Sequence, residues 1–232
     1  MTSRKPVTAD ELMTRLNQDP AYLARVAARD ALVEERGRRY REAAAPVAAE
    51  LRGLGYHVED IGDLRHLGAR YTNAVPVLIE WLTKVDEPSV KEDIVRTLSV
   101  PWAKSAAPVL IEEFRRVEDA TGTSIRWVIG NALSVVAGDP VCDDLVDLAR
   151  DRRYGRAREM VVVALGRMKM KTACVVDVLI ELLADEDVAG HAVIALGKLK
   201  DRRAREAVAA LQNHPKAWVR AEVKKALARM DR

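Results

Sequence analysis

The stretch VIALGKL, residues 193–199, decides the reading of this chain, because it occurs more than once. Taken alone, an apolar run followed by glycine and lysine could border a phosphate-binding loop. It could equally belong to a buried helix. A phosphate loop needs GxxxxGK[ST] between a strand and a helix. No second glycine lies five residues before Gly197. A near twin, VVALGRM, stands at 162–168, and looser copies are VKKALARM at 223–230, VIGNALSV at 128–135 and DIVRTLSV at 93–100. A motif that recurs down the chain is architecture first. The glycine is therefore expected to end a helix or to let two helices pack closely.

The copies align on Leu98, Leu133, Leu165, Leu196 and Leu227, spaced 35, 32, 31 and 31 residues apart. Eight residues before each leucine comes an apolar or small residue: Val90, Ile125, Ala157, Val188 and Val219. A basic residue follows it in four of the five units, as Lys91, Arg126, Arg158 and Arg220, with Ala189 the exception. Upstream of each copy runs a second pattern: VPVLIEWL (75–82), APVLIEEF (107–114), CDDLVDLA (142–149), VDVLIELL (176–183) and, more weakly, EAVAALQN (206–213). Val219, Val223, Ala226, Leu227 and Met230 keep the spacing of one helix face. Turn-formers such as VDEPSV and NHPKAWV separate the two segments, and Pro76 and Pro108 fit a first helical turn. Each unit is thus read as an antiparallel helix pair.

Such a 31–35-residue helix–turn–helix resembles the HEAT-repeat family, and within it the short HEAT-like repeats of the phycobilin-lyase type. The resemblance rests on the PVLIE first helices, the basic starts of the second helices and the ALG endings over residues 73–232. It implies an all-α, right-handed solenoid of about five to six helix pairs, first helices outside and second helices lining the concave face. It also implies that the basic residue after each turn ties neighbouring repeats through acidic turn residues. Residues 45–72 read as one more, degenerate repeat: APVAAEL (45–51) is its first helix and 58–71 its shortened second. Thr8 with Glu11 forms a capping box for a helix over 8–17, and Asp19-Pro20 starts another that runs to about residue 43. The expected organisation is a helical cap over 1–44 and a repeat stack over 45–232, with both ends polar enough to close the stack.

Composition sets the remaining bounds. The 232 residues are 49% hydrophobic and only 4% aromatic, which favours helix over sheet. The N-terminus has no apolar run of the secretory kind, and no stretch is long enough to span a bilayer. Together with two cysteines 32 residues apart, this points to a cytoplasmic setting. The four histidines, His57, His66, His191 and His214, include no i, i+3 or i, i+4 pair, so no metal site is expected. No cofactor, small-molecule substrate or catalytic array is indicated.

Two sets of residues suggest binding. Trp127 and Asn131 lie off the core stripe of their helix and should face the concave side. His191 starts an apolar helix, and Val162, Val163, Val193 and Ile194 are apolar beyond what a one-sided stripe requires. A helix apolar all round is covered all round, by the solenoid itself, the N-terminal helix, a second subunit or a partner. The expected function is a non-catalytic scaffold that holds a protein or peptide on the concave face. The second set reflects charge. Residues 73–149 carry 7 basic against 13 acidic side chains, whereas 150–232 carry 19 against 11. Arg152, Arg153, Arg156, Lys169, Lys171, Lys200, Arg202, Arg203 and Arg205 would then be phosphate contacts in a nucleic-acid-binding alternative. A more remote third reading follows from the resemblance, since some HEAT-like proteins are alkylpurine DNA glycosylases. Asn131 stands where their catalytic carboxylate would be.

Overall fold

A computed structural model describes residues 8–119, 124–170 and 172–231. Among them there are helices and turns and no strand. The first helix, α1 (Ala9–Asn17), begins at the capping box: Glu11 N–H donates to Thr8 Oγ1 at 3.3 Å, and Thr8 N–H to Glu11 Oε2 at 3.1 Å. Asp19 caps α2 (Pro20–Gly53) by accepting from Ala21 N–H at 2.9 Å.

Helix α2 runs past its expected end near residue 43 and straight through Pro46. An internal proline removes one helical hydrogen bond and costs about 3 kcal/mol. The helix continues because Ala44, Val47, Ala48 and Leu51, on one face around the proline, are all buried. Burial worth about 1.5–3 kcal/mol for a residue such as Val or Leu offsets the penalty. Residues 20–43 of the same helix contribute nothing buried. The partner expected over 58–71 is only a 3-10 turn, Ile61–His66, which buries Ile61 and Leu64. Asp93 ties this region down, accepting from Tyr40 Oη at 2.6 Å and from Arg65 Nη1 at 2.6 Å.

Five helix pairs follow: α3 (Ala74–Lys84) with α4 (Pro88–Leu98), α5 (Ala107–Arg116) with α6 (Ile125–Val136), α7 (Cys142–Arg150) with α8 (Glu159–Leu165), α9 (Thr172–Leu182) with α10 (Ala189–Leu199), and α11 (Arg205–Ala209) with α12 (Ala217–Met230). Pro88 and Pro108 sit in first turns, where no N–H is missed. Each first helix packs on its own second helix, and successive second helices pack on one another from α4 through α12. First helices meet their like much less. That places the second helices on the tighter, inner side of the stack. Leu98, Leu133, Leu165 and Leu196 are fully buried, whereas Leu227, in the last helix described, is half-buried.

The ALG motif is the seam of this inner layer. A β-carbon on Gly166 would lie 2.7 Å from Ala195 Cα, and one on Gly197 would lie 2.9 Å from Ala226 Cβ. Gly166 follows the last residue of α8, but Gly197 lies inside α10, which ends two residues later at Leu199. The left-handed residue beyond that end is Lys200, with φ 58°.

Candidate functional site

The basic residue that opens four of the five second helices turns inward. Lys91 Nζ donates to Glu113 Oε2 at 2.8 Å and to Leu82 O at 3.2 Å. Arg126 donates to Phe114 O at 3.0 Å and to Val117 O. Arg158, fully buried, donates to Ala149 O at 2.9 Å and to Asp185 Oδ2 of the next repeat at 3.0 Å. Arg220 reaches His214 O at 2.7 Å. These side chains stitch the C-terminal carbonyls of one helix to the next element, and they belong to the scaffold.

The residues expected to face a partner divide into two groups. Val162 and Val193 are fully buried and Val163 is 7% exposed, so these three are interior and form no accessible surface. Each lies on a second helix flanked by two other second helices and backed by a first helix. The solenoid is therefore what covers them. Trp127, Asn131, His191 and Ile194 are half-buried and do reach the surface of this layer, on α6 and α10. Helix α2 packs principally on α3, α4 and the 61–66 turn, away from them.

His191 belongs to a cluster that the sequence does not announce. Its Nε2 lies 3.9 Å from Glu159 Oε2, and its ring is 5.3 Å from that of Trp218. Trp218, 45% exposed, lies over Gly190 so closely that a β-carbon there would be 2.1 Å from the indole. Buried Glu159 also accepts from Arg156 Nε at 2.9 Å. His191 Nδ1 is buried without a hydrogen-bond partner. Burial pushes the imidazole pKa below its usual 6.5, against the Glu159 carboxylate and with Arg156 and Lys216. Arg156, Glu159, Gly190 and Trp218, with His214 and Lys216, border a depression of about 220 Å³ beside the imidazole. In this unit alone the basic residue is missing, at Ala189, and the ring of Trp218 lies over the neighbouring Gly190.

The proposed phosphate contacts are mostly neutralised. Arg153 pairs with Asp151 at 2.6 Å, Arg156 with Glu159 at 2.9 Å, and Arg205 with Asp231 at 2.8 Å. Arg203 pairs with both Asp201 at 2.9 Å and Asp177 at 3.2 Å, and Arg152 lies 3.5 Å from Asp185. Only Lys169, Lys200 and Arg202 of that set carry no ion pair among the described residues; Lys171 lies outside them. A larger depression, of about 800 Å³, lies elsewhere, between the ends of second helices and the starts of first helices. Lys104, Arg167, Lys169 and Lys198 line it together with Pro108 and Met168.

The class defined by this arrangement is an α-solenoid of stacked helix pairs joined through a small-residue seam. Residues 176–232, from within α9 to the end of α12, match the family model described as HEAT repeats. The preceding units carry the motif in one close copy, at 162–168, and two looser ones, with their leucines 31–35 residues apart. The crystal structure of an engineered protein is similar to this chain at 18% identity and a TM-score of 0.47, over 74% of this chain and 88% of that one. No curated protein matches the sequence. None of the helices among the described residues is long and apolar enough to cross a membrane.

Proposed function

We propose that this protein is a non-catalytic HEAT-repeat scaffold that holds a protein partner on the concave face of its second-helix layer. The observation that carries the reading is the set of half-buried side chains on that layer, Trp127 and Asn131 on α6 with His191 and Ile194 on α10. Their mixture of aromatic, amide and aliphatic groups suits a protein surface. Residues 1–44 would be an N-terminal helical element beside a repeat stack over 45–232. A cytoplasmic setting fits the cysteines, since no disulfide joins buried Cys142 to exposed Cys174. The ion pairing of the basic turns withdraws support from nucleic-acid binding through them.

The test is affinity purification with cross-linking from the native host, comparing the wild type with the double variant Trp127→Ala, Ile194→Glu. A partner recovered by the wild type and lost by the folded variant supports the reading. A partner recovered equally by both, or none by either, overturns it.

A further inference from the structure

Three cations keep the repeat register. Arg167, Lys198 and Arg229 each stand two residues after a repeat leucine, 31 residues apart, where the two earlier units have Val100 and Val135. Arg167 and Lys198 line the 800 Å³ depression, joined by Lys104 and Lys169, and Arg229 reaches to 3.7 Å from the β-position of Gly197. None of the five forms an ion pair among the described residues. The one acidic residue in the lining, Asp139, accepts the N–H groups of Lys169 and Met170, both at 2.9 Å.

Part of this basicity has a local cause, since cations are favoured at helix C-termini, and Arg167 donates to Ser134 O at 3.0 Å. Lys198, in the last turn of α10, shares that helix-end cause but, unlike Arg167, donates to no carbonyl among the described residues. Its side chain is exposed and makes no hydrogen bond among the described residues. Partial desolvation first, then the charges of Arg167 and Arg229, hold its ammonium below the usual lysine range. Neighbouring cations without counterions repel one another, and an anionic ligand relieves them.

From this cavity and its charge we infer that the groove along Lys104, Arg167 and Lys198 binds an extended acidic segment of a protein, with acidic side chains at every third position and apolar residues between. Spacing and lining both select that partner. Packed helices stand about 8–10 Å apart, so Arg167 and Lys198, at the ends of the successive second helices α8 and α10, stand about that far apart, and Lys104 joins them from the turn before α5. Three residues of extended chain span about 10 Å. Pro108, Val136, Met168 and Leu199 give the intervening side chains an apolar wall. A nucleic-acid strand would need a longer unpaired basic track than the neutralised turns provide. This inference rests on the scaffold reading and names the chemistry of its partner.

The experiment titrates the full chain with a labelled, end-blocked twelve-residue peptide carrying Asp at every third position and Leu or Val between, followed by fluorescence anisotropy. Saturable binding that weakens about tenfold or more between 50 and 300 mM salt is expected. It should weaken at least about tenfold in Arg167→Glu and in Lys198→Gln, and be retained in Lys198→Arg, with circular dichroism melts verifying the fold. No binding at 50 mM salt overturns the inference. So does equal affinity for a peptide of the same composition with its acids clustered, or for a single-stranded oligonucleotide of equal charge. If the native partner is recovered equally by wild type and a folded Arg167→Glu variant, the groove assignment falls and the scaffold stands. If neither recovers a partner, the scaffold reading itself falls, and the peptide titration still decides the groove.

Discussion

Gly166 lies against Ala195, one repeat further on, with room for hydrogen and nothing more: a β-carbon would come within 2.7 Å of Ala195 Cα and 3.0 Å of its carbonyl oxygen. Gly197 repeats the relationship with Ala226. Both obstacles include backbone, which cannot swing aside. Gly166→Ala and Gly197→Ala are therefore expected to destabilise the protein by about 1–3 kcal/mol each, as overpacking does. Gly53→Ala is the contrasting case, because nothing lies within 4 Å of its β-position and its φ is not positive. It should be neutral or stabilising by up to about 1 kcal/mol. Urea denaturation of the three variants measures both signs.

Arg158 and Asp185 form the buried tie between the third and fourth helix pairs. Arg158→Met leaves a buried carboxylate with its main partner gone and should cost about 3–5 kcal/mol. The double variant with Asp185→Asn should recover much of that loss. Burial raises the Asp185 pKa, but hydrogen bonds from Arg158 and the Asp187 N–H, with the charges of Arg158 and Arg152, outweigh it and hold the group below 3.8. A carboxyl depressed in the folded state contributes stability that is present above 3.8 and lost as pH falls through its lower folded value. Chemical denaturation between pH 5 and 2 should accordingly show an acid-sensitive limb that Asp185→Asn flattens.

The fold was legible because the repeat leucines and the ALG seam are packing requirements written at a fixed period. The path of α2 was not. A proline rule is local, whereas the burial of Val47 and Leu51 depends on helices that come later in the chain. Val162 and Val193 looked surplus because a stripe count assumes one buried face, and a second helix of a curved stack is enclosed on three. The charge of the turns was legible only in part. Counting cations ignores counterions, although Asp151 and Asp201 each stand two residues before the arginine they neutralise, in matching DRR sequences at 151–153 and 201–203. The stacked trio Arg167, Lys198 and Arg229 is visible in the sequence as a register of 31, but only the stack places Arg167 and Lys198 along one groove.

Lys200 closes α10 with φ 58° and ψ 25°, and its N–H donates to Leu196 O at 3.0 Å. A left-handed residue after a helix is the position glycine fills without steric strain. Lys200→Gly should stabilise the protein by up to about 1 kcal/mol, whereas Lys200→Val, β-branched, should destabilise it. A rise and a fall in thermal midpoint distinguish the two, and a fall for both would place the role of Lys200 in its side chain.

The pairing of His191 with Trp218 makes the C-terminal repeats pH-sensitive near neutrality. Burial, the leading cause, lowers the imidazole pKa from 6.5; Glu159 opposes the shift and Arg156 and Lys216 add to it. The folded protein thus keeps His191 neutral at a pH where the unfolded chain already takes up the proton. Its contribution to stability is present above pH 6.5 and is lost as pH falls through the folded value. Equilibrium unfolding between pH 7.5 and 5 should weaken toward acid in the wild type, with that part of the slope absent in His191→Gln. The same proton can be read optically, because an imidazolium 5.3 Å from the indole quenches its emission. Subtracting the Trp218→Phe spectrum isolates that emission, which should fall with a midpoint below 6.5 in the wild type and stay flat in His191→Gln. A midpoint at or above 6.5 would mean that Glu159 outweighs burial, and the stability slope would then reverse sign.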